Sequence, residues 1–195
     1  MLTLKLPEVY RILQSLPEDP ENSTSYGMQT PNSLCMILAY PLSLEQTMSI
    51  NKEWVIDGIR HYLAENQGII QVECGTTKKQ VPYIYSIVKN ISQEGCLYIL
   101  TMHFVDGVNS EAFAISAQFQ EIGTTGIREA QVFEYARRNN IVDEEAKGWV
   151  KDPYDENFTY GIPMNLSEDV MFDPAFPSHP LTQLRELLKF IKENN

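Results

Sequence analysis

Three histidines and three cysteines hold most of the chain's capacity for acid–base, nucleophilic or metal chemistry: His61, His103 and His179, and Cys35, Cys74 and Cys96. The histidines lie far apart, and no H-E-x-x-H or similar ligand spacing joins them. His103 falls in a strand-like run, where period two puts it on one face with Leu97, Ile99, Thr101 and Val105. It reads as a hydrogen-bonded core histidine, with a catalytic base as the rival reading. A cysteine nucleophile needs a nearby base. Cys96 sits on the opposite face of the same run, so that strand holds no Cys–His dyad. No C-x-x-C pair suggests zinc, and no G-x-S-x-G marks a serine nucleophile. Gly123-Thr-Thr-Gly126 precedes a helical pattern, and helix-start amides can hold an anion. It lacks the P-loop lysine, so it reads as a turn and cap. The acidic runs Asp143-Glu-Glu145 and Asp152-Pro-Tyr-Asp-Glu156 lack the glycine-centred spacing of a calcium loop. They read as solvated faces, with a cation site or a patch for a basic partner as the alternative. No catalytic residue, metal ligand set or cofactor motif is assigned.

The elements that would carry these residues follow from periodicity and punctuation. Pro7–Ser15 predicts a short helix, and residues 16–25, rich in proline, asparagine and serine, predict a loop. Leu34–Tyr40 is apolar, bounded by Pro31 and Pro41, and predicts a buried strand. Ser49 or Asn51 caps a helix reaching about Asn66, with Val55, Ile59, Tyr62 and Leu63 as its apolar stripe and Gly68 as its stop. Four strands follow: Ile69–Cys74, Tyr83–Lys89, Cys96–Val105 and Glu111–Glu121. Their short, turn-rich links suit antiparallel hairpins. The third is apolar on both faces and should lie inside the sheet. The fourth alternates Phe113, Ile115, Ala117 and Phe119 with Ala114, Ser116, Gln118 and Gln120, one face inward. A second helix runs to about Arg138, burying Val132 and Tyr135 with Ile127. The last helix, Leu181–Lys192, carries a stripe of Leu184, Leu187, Leu188 and Ile191 behind Pro180.

The organisation expected is therefore α+β: an antiparallel β-meander sheet flanked by helices, with an irregular Pro/aromatic C-terminal arm and a terminal helix. Residues 1–33 form the N-terminal helix and loop. Residues 34–140 form the α+β core. Residues 141–195 form the arm and last helix, packed on the same domain. The arm holds Trp149, Tyr154, Asp155, Phe158, Tyr160, Met171, Phe172 and Phe176, aromatics too costly to leave wholly in water. Two readings stay open. Either the arm is a structural belt sealing one face of the sheet, or Trp149, Tyr154, Asp155, Phe158, Tyr160, Phe172 and Phe176 form a partner-binding surface.

Composition narrows the class. Among 195 residues, 43% are hydrophobic and 21% charged, which suits a packed domain. The net charge of −11 disfavours nucleic acid and anionic membranes and permits a basic protein partner. No apolar stretch reaches membrane-helix length. No export signal is read at the start, so the sequons at Asn22, Asn90, Asn157 and Asn165 are taken as chance, and the odd cysteine count as free core thiols of a cytoplasmic protein.

The order strand–helix–four strands–helix over about residues 34–138 is similar to the Mog/PsbP-like fold. So is the run Val81-Pro-Tyr-Ile-Tyr-Ser-Ile-Val-Lys89 before Gly95-Cys-Leu-Tyr-Ile-Leu100. That family includes bacterial secretion chaperones and lipoproteins. The resemblance implies a curved antiparallel sheet flanked by helices and a non-enzymatic accessory role; it carries over no site residue. The function expected is a non-catalytic protein-binding or accessory protein, chaperone-like or immunity-like. The alternative is an enzyme or small-ligand binder on the concave sheet face near His103, Tyr83 and Tyr85. Homo-oligomerisation through a sheet edge is a further option.

Overall fold

Hairpin after hairpin of β-rich sequence closes into one antiparallel sheet. The computed structural model describes residues 4–106 and 111–195. Its strands are β1 (Arg11–Ile12), β2 (Thr24–Gln29), β3 (Ser33–Leu42), β4 (Gln67–Thr76), β5 (Pro82–Ser92), β6 (Gly95–Asp106) and β7 (Glu111–Glu121). They lie in the order β1-β2-β3-β7-β6-β5-β4. The four predicted hairpin strands form where expected, and every pairing is antiparallel. The α+β class holds. The helices are α1 (Lys52–Tyr62), α2 (Ile127–Arg138) and α3 (Pro180–Asn194). A small ribbon of β8 (Val150–Lys151) and β9 (Met164–Asn165) lies in the otherwise irregular arm.

Register sorts the side chains into two faces. One face carries Tyr85, Met102, Ile115 and Ala39 in a cross-strand row, with Ile87, Leu100, Ala117 and Ile37 beside it. Helix α3 covers this face with Leu181, Leu184, Leu187, Leu188 and Ile191, all buried. The predicted α3 stripe is thus the main lid of the core. The other face carries Val88, Ile99, Gln118 and Met36 in a row. There α1 packs Val55, Ile56 and part of Ile59 only on Ile69, Val72 and Ile84 at the β4–β5 end.

Several local expectations are corrected. Pro7–Ser15 is not helical: it makes a turn and then β1, because Leu13 donates its backbone N–H to Ser25 and packs against Gly27. Part of the predicted loop is strand β2, whose polar residues pair with β3. Strand β3 is buried on one face only, since nothing covers its other side, and Leu34 and Met36 are exposed. Helix α1 starts at the predicted Asn51 cap, which accepts from Trp54 N–H, but ends at Tyr62, leaving that ring in solvent. In α2 the buried side chains are Arg128, Val132 and Ala136, while Ile127 and Tyr135 are exposed. Cys74 is exposed, unlike Cys35 and Cys96.

Gly68 does not stop α1; it lies inside β4. A Cβ there would overlap the Ile162 carbonyl oxygen, because the arm runs against this edge strand. The arm also occupies the edge's hydrogen-bonding groups. Ile162 N–H donates to Gln67 O at 2.7 Å. The Tyr154 hydroxyl accepts from Val72 N–H at 2.5 Å and donates to Val72 O at 3.2 Å. Free strand edges invite unwanted pairing, and this one is capped by the chain itself.

Two glycines make a paired test. Gly68→Ala should cost about 1–3 kcal/mol or more, because the added methyl would overlap the Ile162 carbonyl and meet the Lys89 side chain. Gly58→Ala in α1, where a Cβ meets nothing within 4 Å, should gain about 0.5–1 kcal/mol. Urea unfolding of both variants measures the contrast. A Gly68→Ala protein as stable as wild type would contradict the arm–edge contact.

Candidate functional site

The residues with chemical potential fold into structural roles. His103 is buried, and its Nδ1 accepts the Met48 N–H at 2.8 Å, holding the start of the α1 segment to β6. Burial lowers its pKa. Cys96 faces the other side of the sheet, and burial pushes its thiol up to about 12, which disfavours a thiolate. Tyr83 and Tyr85 face α3, so they are separated from His103 by the sheet itself. Both hydroxyls donate to Glu73, which also pairs with Lys192 at 3.3 Å. Burial alone would raise the Glu73 pKa, but these hydrogen bonds and the lysine together lower it. At Gly126, which caps α2 in the left-handed region, the N–H donates to Glu121 at 2.9 Å. The protein's own carboxylate thus occupies that helix start.

The acidic runs differ from each other. Asp143 lies exposed and caps its own turn through the N–H groups of Glu145 and Lys147. Asp152 is buried, contrary to the expected solvated face. Its carboxylate takes Arg60 at 2.6 Å and the N–H groups of Tyr154 and Asp155.

The arm aromatics divide into two groups. Tyr154, Asp155, Phe158 and Tyr160 lie in the part that runs beside α1. Lys52 sits over the Tyr154 ring and Arg60 over Phe158, at 4.7 and 4.4 Å to the centroids. Gly161 lies against Leu63, Ala64 and Gln67, bringing Tyr160 to the C-terminal end of α1. Trp149 and Phe172 stack edge-on against Phe133 and Tyr135 of α2. Phe176 lies under Arg128. The seven residues named from sequence are therefore not one patch. Asp155 and Tyr160 are exposed, and the other five are half-buried.

What fixes the arm was not visible in the sequence. Lys89 of β5 and Glu168 of the arm form an ion pair at 2.7 Å, each with a side chain only 1% exposed. Glu168 also accepts from Asn165 N–H and the Tyr98 hydroxyl. Beside it the buried Arg128 donates to the carbonyls of Ser167 and Asp169, to Thr182 of α3 and to Asp173. Arg185 of α3 shares Asp173 and donates to Glu168 O. The one sequence signal is Lys89, a charge that continues the inward face of β5 after Tyr83, Tyr85 and Ile87 and so needs a buried partner the sequence does not identify.

Two hollows result. Between α3 and the arm lies a cleft of about 790 Å³, floored by Ile70, Tyr85 and Leu188. A β-bulge at Ile70 turns both Ile70 and Gln71 toward it. Its rim charges balance, with Arg185, Lys189 and Lys192 against Asp169, Asp173 and Glu186. On the opposite face a groove of about 630 Å³ runs between α1 and strands β5 and β6. It is lined mainly by apolar side chains: Met48, Trp54, Val55, Ile59, Leu63, Val88 and Ile99. Its ends are marked by the two most exposed large aromatics of the helix, Trp54 (71%) and Tyr62 (84%). Sequence periodicity had assigned Tyr62 to the core.

No family model and no curated protein matches the chain. Among solved structures, the Saccharomyces cerevisiae Ran-binding protein Mog1p is similar at 9% identity and a TM-score of 0.40, over 67% of this chain and 76% of that one. LpqN, involved in cell envelope biogenesis of Mycobacterium tuberculosis, is similar at 14% identity and a TM-score of 0.35, over 73% of this chain and 79% of that one. These are weak resemblances at the level of the fold.

Breaking the buried pair tests what holds the arm. Lys89→Met should cost about 3–5 kcal/mol by stranding the Glu168 charge. Adding Glu168→Gln, which keeps an acceptor for Asn165 N–H, should recover more than half of that loss in chemical denaturation. Acid should weaken the fold through the histidines. His179 caps α3 by accepting Leu181 N–H, and burial, then Arg128 and Arg185, hold its pKa down to about 3. Unfolded histidine titrates near 6.5, so below that pH the unfolded chain binds protons that the native one refuses. Stability should fall between pH 7.5 and 5.5, with a slope approaching about 1.4 kcal/mol per pH unit for each such histidine. Glu121, whose carboxyl burial pushes up, works in the opposite sense at lower pH. Urea titrations across this range should show a shallower slope in His179→Asn, which retains a capping oxygen. An unchanged slope would remove His179 from the account.

Proposed function

We propose that this chain is a non-catalytic binding protein that engages a protein partner through the α1 side of its sheet. The observation that carries the proposal is the pair Trp54 and Tyr62, exposed at the two ends of an apolar groove. Large exposed aromatics beside apolar surface are the side chains that anchor protein interfaces. The surface extends along the uncovered sheet face through Ile99 and Gln118 to Met36, and toward Tyr160 at the end of α1. Around it the protein offers acid rather than base, in keeping with a basic partner. Tyr154, Asp155 and Phe158 would border the interface, while Trp149, Phe172 and Phe176 would hold the arm in place.

A second reading is favoured by the bulge that turns Ile70 and Gln71 into the α3 cleft. There a small, largely apolar ligand would bind on the opposite face. One set of variants separates the two. The doubly substituted Trp54→Ala/Tyr62→Ala protein changes only exposed side chains of α1. Val170→Ser/Met171→Ser changes exposed side chains of the arm on the cleft side. Tagged proteins incubated in lysate of the source cells, then sized by chromatography with light scattering, should retain a stoichiometric second chain. The α1 variant should lose it and the arm variant keep it. Equal retention by both, or no stoichiometric chain for wild type, would overturn the α1-face reading.

A further inference from the structure

Resting on that reading, we infer that the partner's docking segment is a basic amphipathic helix laid along the groove over Gly58.

The first argument is the backbone. Along the groove's length the main chain is already paired: the middle of α1 is internally hydrogen-bonded, and β5 and β6 are interior strands paired on both sides. An extended segment lying there would leave its own N–H and C=O groups without partners. A helix satisfies its backbone internally and presents only side chains, the mode of recognition that suits an apolar groove.

Gly58 supplies the second argument. It lines the groove midway between Trp54 and Tyr62, four residues from each. Glycine inside a helix weakens it, and some packing need usually explains one. Here no such need exists among the described residues, since an added Cβ would meet nothing within 4 Å. The missing side chain instead leaves a saddle between two aromatic posts, where another helix can approach α1 closely. Trp54, Gly58 and Tyr62 repeat at the spacing at which a docking helix presents its own anchors.

Charge supplies the third. On α1 and its approaches, Glu45, Glu53, Asp57 and Glu65 are exposed. The helix's two strong cations are turned toward the arm, Lys52 over Tyr154 and Arg60 into Asp152 and Phe158. The flank beside Trp54 is thus acidic, and a segment with lysine or arginine outside its apolar stripe complements it.

The test uses the full chain and a defined probe, a synthetic helix of about 18 residues with leucine at i, i+3 and i+4 spacing and lysine elsewhere. Its counterpart replaces every lysine by glutamate. Binding is read by chemical-shift mapping and by titration. The lysine peptide should perturb Trp54, Gly58 and Tyr62, and should bind more weakly as salt rises from about 50 to about 300 mM. Gly58→Leu, which fills the saddle, and Trp54→Ala should each weaken it about tenfold. Val170→Ser/Met171→Ser should leave it unchanged, and the glutamate peptide should not bind. Circular dichroism confirms that each variant remains folded. Equal binding by Gly58→Leu and wild type, or shifts away from α1, would overturn the inference. So would a native partner, lost on Trp54→Ala/Tyr62→Ala, that docks through an extended or acidic segment; the α1-face reading would then stand. Loss of both the peptide and the partner effect would sink the two together.

Discussion

The structure depends on one arrangement of buried charge. Lys89 and Glu168 meet where neither reaches water, and Arg128 lies beside them, almost fully buried. Removing such groups from solvent costs several kcal/mol each unless geometry and further hydrogen bonds repay it. Here they are repaid: Glu168 accepts from Lys89, Asn165 and Tyr98, and Arg128 reaches four acceptors in the arm and α3. The arm is irregular and could follow many paths on apolar contact alone. A charge that must find its counter-charge allows far fewer. From that anchor follow the wall of the α3 cleft, the cover over the β4 edge, and the neutral His179 cap beneath two guanidinium groups.

An asymmetry comes with it. Helix α3 and the arm together close one face of the sheet. The other receives α1, eleven residues long and confined to the β4–β5 end, with Met48 and Tyr154 beside it. The rows through Ile99 and Met36 are left without a lid. Gln118 and Ser116 among them lower the cost of that exposure, while Trp54 and Tyr62 raise it. An uncovered face that merely needed solubility would be polar throughout. This one is polar at the centre of the sheet and apolar beside the helix.

Periodicity made legible the parts whose neighbours in space are also neighbours in sequence. The hairpins β4 to β7 and the α3 stripe emerge because each satisfies its own pattern, and His103 is placed correctly by counting along β6. The failures share a cause. Strands β1 and β2 are built from polar and turn-forming residues, and become strands only because β3 offers an edge. Gly68 reads as a helix stop because the arm segment that requires it lies nearly a hundred residues away. Tyr62 reads as core because it falls seven residues after Val55 in a helical stripe, but α1 ends there and the ring is left in solvent. No buried role is read for Arg128 or Lys89, because burial of a charge is decided by a partner that periodicity does not encode. The candidate groove was hidden for the same reason: it consists of what the other elements fail to cover.

The same internal use of cations shapes the surface. Lys89 and Arg128 are buried, Arg60 is tied to Asp152, Arg185 to Asp173 and Lys192 to Glu73. Lys52 lies on an aromatic ring. These are a substantial share of the fifteen basic residues, and they serve to hold the arm, α1 and α3 to the sheet. Pairing leaves the net charge unchanged, but the cations left to face water are fewer. The excess acid of the chain is therefore expressed at its surface, where it acts over about a Debye length, ~8 Å at physiological salt. Around α1 that field surrounds apolar contacts of short range. If the proposed reading holds, acid of this kind would raise the rate at which a basic partner arrives and repel acidic chains, while the apolar groove would set how long the partner stays. The cation use that fixes the arm and the acidity left at the surface are thus two consequences of one distribution.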